Sequence, residues 1–141
     1  MVKFNLEKGM KGVSQMLVGP DNMAEKFSRP MPPSFATPML ISLMDNAAIE
    51  AVKKRLPANY ITVGTSITVK HIAPTPEGMT ITAQAELKDI FQNRLIFKIT
   101  AYDEIEKVGE GEVERYVIDL ERFSDKILEK KEKRRKAIMV K

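Results

Sequence analysis

One helix-patterned stretch, Phe35 to Leu56, constrains this chain more than any other, because the rest of the sequence looks built to wrap around it. Thr37 stands where an N-cap belongs and Pro38 where the first helical residue belongs, the position proline favours. Leu40, Leu43, Met44, Ala47, Ala48 and Ala51 then recur at helical spacing and form one apolar stripe. Met39, Ile41 and Ile49 add apolar surface beside it, so more than one side should be covered. Lys53, Lys54 and Arg55 load the last turn with positive charge, which suits the negative end of the helix dipole, and Pro57 stops it. The pattern predicts a largely buried central helix.

Strand-like runs surround it. Lys11 to Val18 alternates weakly and ends at Gly19-Pro20. Residues 21–34 carry Pro30, Pro32 and Pro33 and read as a loop whose apolar members Met23, Phe27 and Met31, with Phe35, either cover a pocket as a lid or tack the loop to the body. Tyr60 to Ile72 places Ile61, Val63, Ile67, Val69 and His71 on one face, and Thr62, Ser66, Thr68 and Lys70 on the other. Met79 to Leu87, Leu95 to Tyr102 and Val108 to Leu120 follow, joined by short turns, and Glu121 to Lys136 is helical in composition. Consecutive strands on short turns imply an antiparallel sheet, and only one long helix is available to cover its apolar face. The expected architecture is α+β: one domain over 1–141, a sheet curled around a central helix, and a C-terminal helix.

Several function classes are disfavoured by composition. With one histidine and no cysteine there is no disulfide framework, no thiolate nucleophile, and little from which to build a zinc site. No apolar run approaches the ~18 residues that cross a bilayer, and Met1 to Lys11 has no signal-peptide core. A cytoplasmic protein without membrane contact is expected. The formal charge of +4 belongs to the tail, 121–141, with nine Lys or Arg against four Asp or Glu. That tail could attract phosphates, or be a solvated helix end in which Glu129 and Glu132 interleave with lysines. No recognisable motif or aromatic-basic interleaving supports nucleic-acid binding.

The segments FATPMLISLMDNA, GTSITVKHIAPTPEGMTITAQAEL and GEGEVERYVIDLERF resemble the hotdog-fold thioesterases, most of all the fluoroacetyl-CoA thioesterase group, over about Phe35 to Phe123. The resemblance implies a hotdog fold, an acyl-CoA substrate, no separate cofactor or metal, and a homodimer or dimer of dimers. It also implies a catalytic set of Thr37, Asp45 and His71, with Gly64, Phe35 and Arg115 at the substrate. The fluoroacetyl enzyme has glutamate where this chain has Asp45, and its lid segment is longer and more aromatic. The fluoroacetyl substrate is therefore not carried over; a small or short-chain acyl-CoA thioesterase is.

The chemistry can be weighed separately. Thioester hydrolysis needs an activated water or nucleophile and donors for the developing oxyanion. A helix N-terminus supplies unpaired N–H groups, and Thr37 adds a hydroxyl. Asp45 lies eight residues on, about 12 Å along the axis at helical rise, too far to bond Thr37 within one helix. A division of labour follows: Thr37 and nearby N–H groups hold the carbonyl, Asp45 activates water or attacks directly, and His71 handles protons. Each residue also has a plain reading. Thr37 could be only a cap, Asp45 a solvated position, His71 a core residue, Gly64 a bulge marker, and Arg115 a partner of Glu112 or Glu114. A non-catalytic acyl-CoA binding module and a hotdog hydratase or dehydratase are the competing functions; the latter is disfavoured because no acid lies within five residues upstream of His71.

Overall fold

The computed structural model of the protein describes residues 4–140. Five strands, β1 (Lys11–Leu17), β2 (Tyr60–His71), β3 (Thr80–Phe91), β4 (Arg94–Tyr102) and β5 (Lys107–Asp119), form one antiparallel sheet in the order β1-β3-β4-β5-β2. Helix α1 (Thr37–Val52) lies in its curl, and α2 (Leu120–Val140) extends from the end of β5. The expected stripe is the core contact: Leu40, Leu43, Met44, Ala47 and Ala48 are fully buried, with Ala51 and Val52 beside them. They meet the inward residues of β3 and β4, among them Ile81, Leu87, Leu95 and Phe97.

The helix sits unusually close to β1. A Cβ built on Gly12 would stand 2.3 Å from the Ala47 carbonyl oxygen and 2.3 Å from the Ala51 amide nitrogen. Small residues on both partners let backbone approach backbone there.

The helix start differs from expectation. Ala36 is the N-cap, and Thr37 and Pro38 are the first two helical residues. The carbonyl of Ala36 accepts the amides of Met39 and Leu40, both at 3.0 Å, so the first helical acceptor lies one residue earlier than the Thr-Pro pattern suggests. The α-helix also ends sooner, at Val52, and Lys53–Arg55 form a separate 3-10 turn.

The second correction concerns β2. Its pairing with β5 steps from Gly64 opposite Arg115 to Ser66 opposite Glu114, leaving Thr65 as a bulge. Val113, Arg115 and Val117 share the buried face of β5. Their partners on β2, Ile67, Gly64 and Thr62, must therefore face inward too. Uninterrupted alternation would join Ile61 and Val63 to Ile67, Val69 and His71. The extra residue instead turns Ile61 and Val63 to the outer face and buries Thr62. Gly64 and His71, an odd number of residues apart, end on the same side of the sheet.

Candidate active site

Two groups of the expected residues lie at different places on one chain. The first is at the start of α1. The Thr37 hydroxyl and His71 Nδ1 share a hydrogen bond of 2.8 Å, so the first helical residue meets the last residue of β2. Because Thr37 is inside the helix and not its cap, its hydroxyl is free for this contact. His71 Nε2 is buried with no hydrogen-bond partner among the described residues. Burial pushes the His71 imidazole below its ordinary value; the Ala73 backbone opposes this, without a hydrogen bond to Nε2. Burial thus favours the neutral ring.

The supply of backbone donors is smaller than a helix N-terminus suggests. Pro38 has no N–H, and the amides of Met39 and Leu40 are spent on Ala36. The amides of Phe35 and Ala36 bond to the carbonyls of Thr75 and Asn22, each at 2.9 Å. The Thr37 N–H remains without a partner among the described residues. One free amide, and not a row of them, is left at the helix start among the described residues.

The opening is a cleft of about 320 Å³ lined by Phe27, Met31, Phe35, Thr37, His71 and Pro74, among others. Residues 21–34 lie partly against the body and partly at the cleft. Met23 and Phe35 form a bridge and are buried, tacking the segment down, whereas Phe27 and Met31 stay about half exposed over the cleft. Phe35 contributes to the cleft wall from within the core, at 1% exposure. Buried Thr75 donates its hydroxyl to Asp103 at 2.9 Å, and Asp103 also accepts the amides of Ile105 and Glu106. That clamp fixes the turn carrying the Thr75 carbonyl, and with it the approach of the chain to Thr37.

The second group lies about two turns along α1. Asp45 pairs with the Arg115 guanidinium, and a Cβ on Gly64 would stand 3.1 Å from Arg115 Nη1 and 3.9 Å from Asp45 Oδ1. Arg115 is buried and donates through Nε to the Thr62 hydroxyl and through Nη2 to the Thr62 carbonyl, both at 2.8 Å. The alternative pairing with Glu112 or Glu114 does not occur. Those residues alternate onto the outer face of β5, where Glu114 engages Arg94 and Thr65. Thr62 was not among the expected site residues; read as an outward threonine, it becomes Arg115's main support once the bulge inverts its face.

Within one chain these groups do not meet. The seven residue steps from Gly64 to His71, one of them taken up by the bulge, place the two roughly 20 Å apart at strand rise. Asp45 touches the Gly64 end, and the cleft around His71 does not include it. What one chain assembles is a threonine-imidazole pair at a cleft and, separately, an arginine-anchored carboxylate. Among the described residues, no cluster of His, Asp and Glu could hold a metal ion, and no helix is long and apolar enough to cross a membrane.

Residues 18–121 match the family of fluoroacetyl-CoA-specific thioesterases. The chain is 38% identical over 99 residues to the fluoroacetyl-CoA thioesterase of Streptantibioticus cattleyicolor, spanning 70% of this chain and 71% of that one. A solved structure of a fluoroacetyl-CoA thioesterase superposes with a TM-score of 0.83 at 32% identity, covering 89% of this chain and 98% of the other. A hot-dog-like protein from Thermanaerovibrio acidaminovorans superposes with a TM-score of 0.82 at 21% identity, covering 89% and 93%, a likeness of fold alone.

Proposed function

The chain belongs to the fluoroacetyl-CoA-specific thioesterase family and has the hotdog fold, and from that premise we propose that it hydrolyses a small or short-chain acyl-CoA thioester to free acid and CoA. The observation that carries this reading is the Thr37–His71 hydrogen bond at a cleft that both residues line. In the proposed mechanism His71 Nδ1–H donates to the Thr37 oxygen, and the buried ring edge opens to the cleft as substrate binds, which leaves the Nε2 lone pair to accept a proton. The Thr37 O–H and N–H then both donate to the oxyanion that forms on the thioester carbonyl. Water attacks the carbonyl carbon and gives its proton to Nε2; the carbon–sulfur bond breaks, and the proton passes to the departing CoA sulfur.

Asp45 enters this scheme through a second copy of the chain. Strand β2 is an edge strand, with its far side unpaired. Antiparallel pairing of two β2 strands about a two-fold axis between Ile67 and Thr68 sets His71 opposite Gly64 of the partner subunit. That symmetry carries the partner's Asp45 to the Thr37–His71 pair, where it holds the attacking water. Two composite sites result, and half-buried Ile41 and Ile49, on the same side of α1 as Asp45, become interface. Neither a cofactor nor a metal has a step in this mechanism.

The test is thiol release from acyl-CoA esters of graded chain length. Turnover by the wild type, lost in His71→Ala, supports the proposal. A full panel left intact overturns it.

A further inference from the structure

A second cleft, of about 460 Å³, opens where β2 begins and α2 departs from β5. Its aromatic wall is Phe4, Tyr60 and Phe123, the first two packed edge-to-face with ring centres 5.2 Å apart. Arg122 and Lys126 line it from the first turns of α2, and neither has an ion-pair partner among the described residues. The one acid of the lining, Asp119, spends Oδ1 on the amides of Glu121 and Arg122, at 3.0 and 3.3 Å. Those bonds start the helix and fix its heading, so that Arg122, Phe123 and Lys126 project together into the cleft.

Aromatic faces beside two uncommitted cations suit a purine ring carrying phosphates. We infer that this cleft takes the phosphorylated adenosine end of the CoA ester. The inference rests on the thioesterase reading given above. Tyr60 stands four residues before Gly64 on β2, about 13 Å at strand rise. A pantetheine arm can span that interval, from phosphates held by Arg122 and Lys126 to a thioester beside Asp45, Gly64 and the partner's His71. The start of the basic C-terminal helix would then serve as a substrate contact.

The decisive experiment compares one acyl group on CoA, on 3′-dephospho-CoA and on pantetheine alone. In Arg122→Glu/Lys126→Glu, the preference in kcat/KM for the CoA ester over the pantetheine ester should shrink at least about tenfold, the weight of one charge-assisted contact. The same charge reversal further along the helix, Lys133→Glu/Arg134→Glu, should leave that preference intact. An undiminished preference in the first variant, or an equal loss in the second, overturns the inference. Should the wild type hydrolyse nothing, only the hydrolase reading fails. Calorimetric binding of free CoA, lost in the first variant and kept in the second, would still support the cleft, and binding unaltered in both would dismiss it.

Discussion

The Thr37 hydroxyl and His71 Nδ1, 2.8 Å apart, tie the first residue of the central helix to the last residue of the sheet's edge strand. That bond orients the imidazole, and in the proposed mechanism Thr37 holds the base as well as the substrate. Thr37→Val should therefore lower kcat by roughly 10²–10³, the effect of removing an oxyanion donor, while Thr37→Ser retains most of the rate. Steady-state thiol release on both variants separates the hydroxyl's contribution from that of the methyl group.

The acid limb of the pH profile follows from His71. Burial disfavours the imidazolium, so the neutral, proton-accepting form persists to lower pH than in a solvated histidine. Activity should rise with pH along a limb whose midpoint lies below the ordinary histidine value of about 6.5, then level off. The same depression has a stability consequence of fixed sign: the contribution is complete above the unfolded value and is lost as pH falls through the folded one. In His71→Gln that acid-side loss of stability should shrink, as read from urea midpoints at a series of pH values.

A composite site predicts complementation. His71→Ala and Asp45→Ala homodimers should each be nearly inactive. Mixed, unfolded and refolded together, they should regain about a quarter of wild-type activity, because half the dimers are mixed and each mixed dimer has one intact site of two. A mixture as inactive as its components would place all the chemistry within one chain.

Arg115 should matter to stability as well as to turnover. Arg115→Met leaves Asp45 and both oxygens of Thr62 without their donor. A loss of about 2–3 kcal/mol is expected, short of a wholly buried pair because Asp45 is partly solvated. Asp45→Asn in the Arg115→Met background should cost little more, and a double-mutant cycle in urea measures that coupling.

Gly12→Ala should destabilise by about 1–3 kcal/mol, since the new methyl group meets helix backbone and no rotamer relieves it. A lowered Tm with unchanged oligomeric state checks this.

The central helix was legible because burial wrote a clean period into it: every residue of the expected stripe is buried. Strand existence was legible for the same reason, and β3 and β4 alternate as their sequences do. The face of β2 was not. Gly64 could mark a bulge, but whether the register shifts there, and which residue is left out, is decided by the pairing with β5. Thr37's place inside the helix was hidden similarly, because an amide-carbonyl contact at Ala36 decided it. The residue types of the site could be read along the chain, but which of them meet within it, Thr37 with His71 and Asp45 with Arg115, is decided by the folded geometry.

The extra residue at Thr65 makes the edge strand a matter of parity. Removing it would leave an unbroken ladder in which Gly64 still faces Arg115 and Ser66 still faces Glu114, so Gly64 and His71 would keep their shared side. Loss of that single residue should be tolerated far better than loss of two, so natural length variation in this short interval ought to be the bulge present or absent.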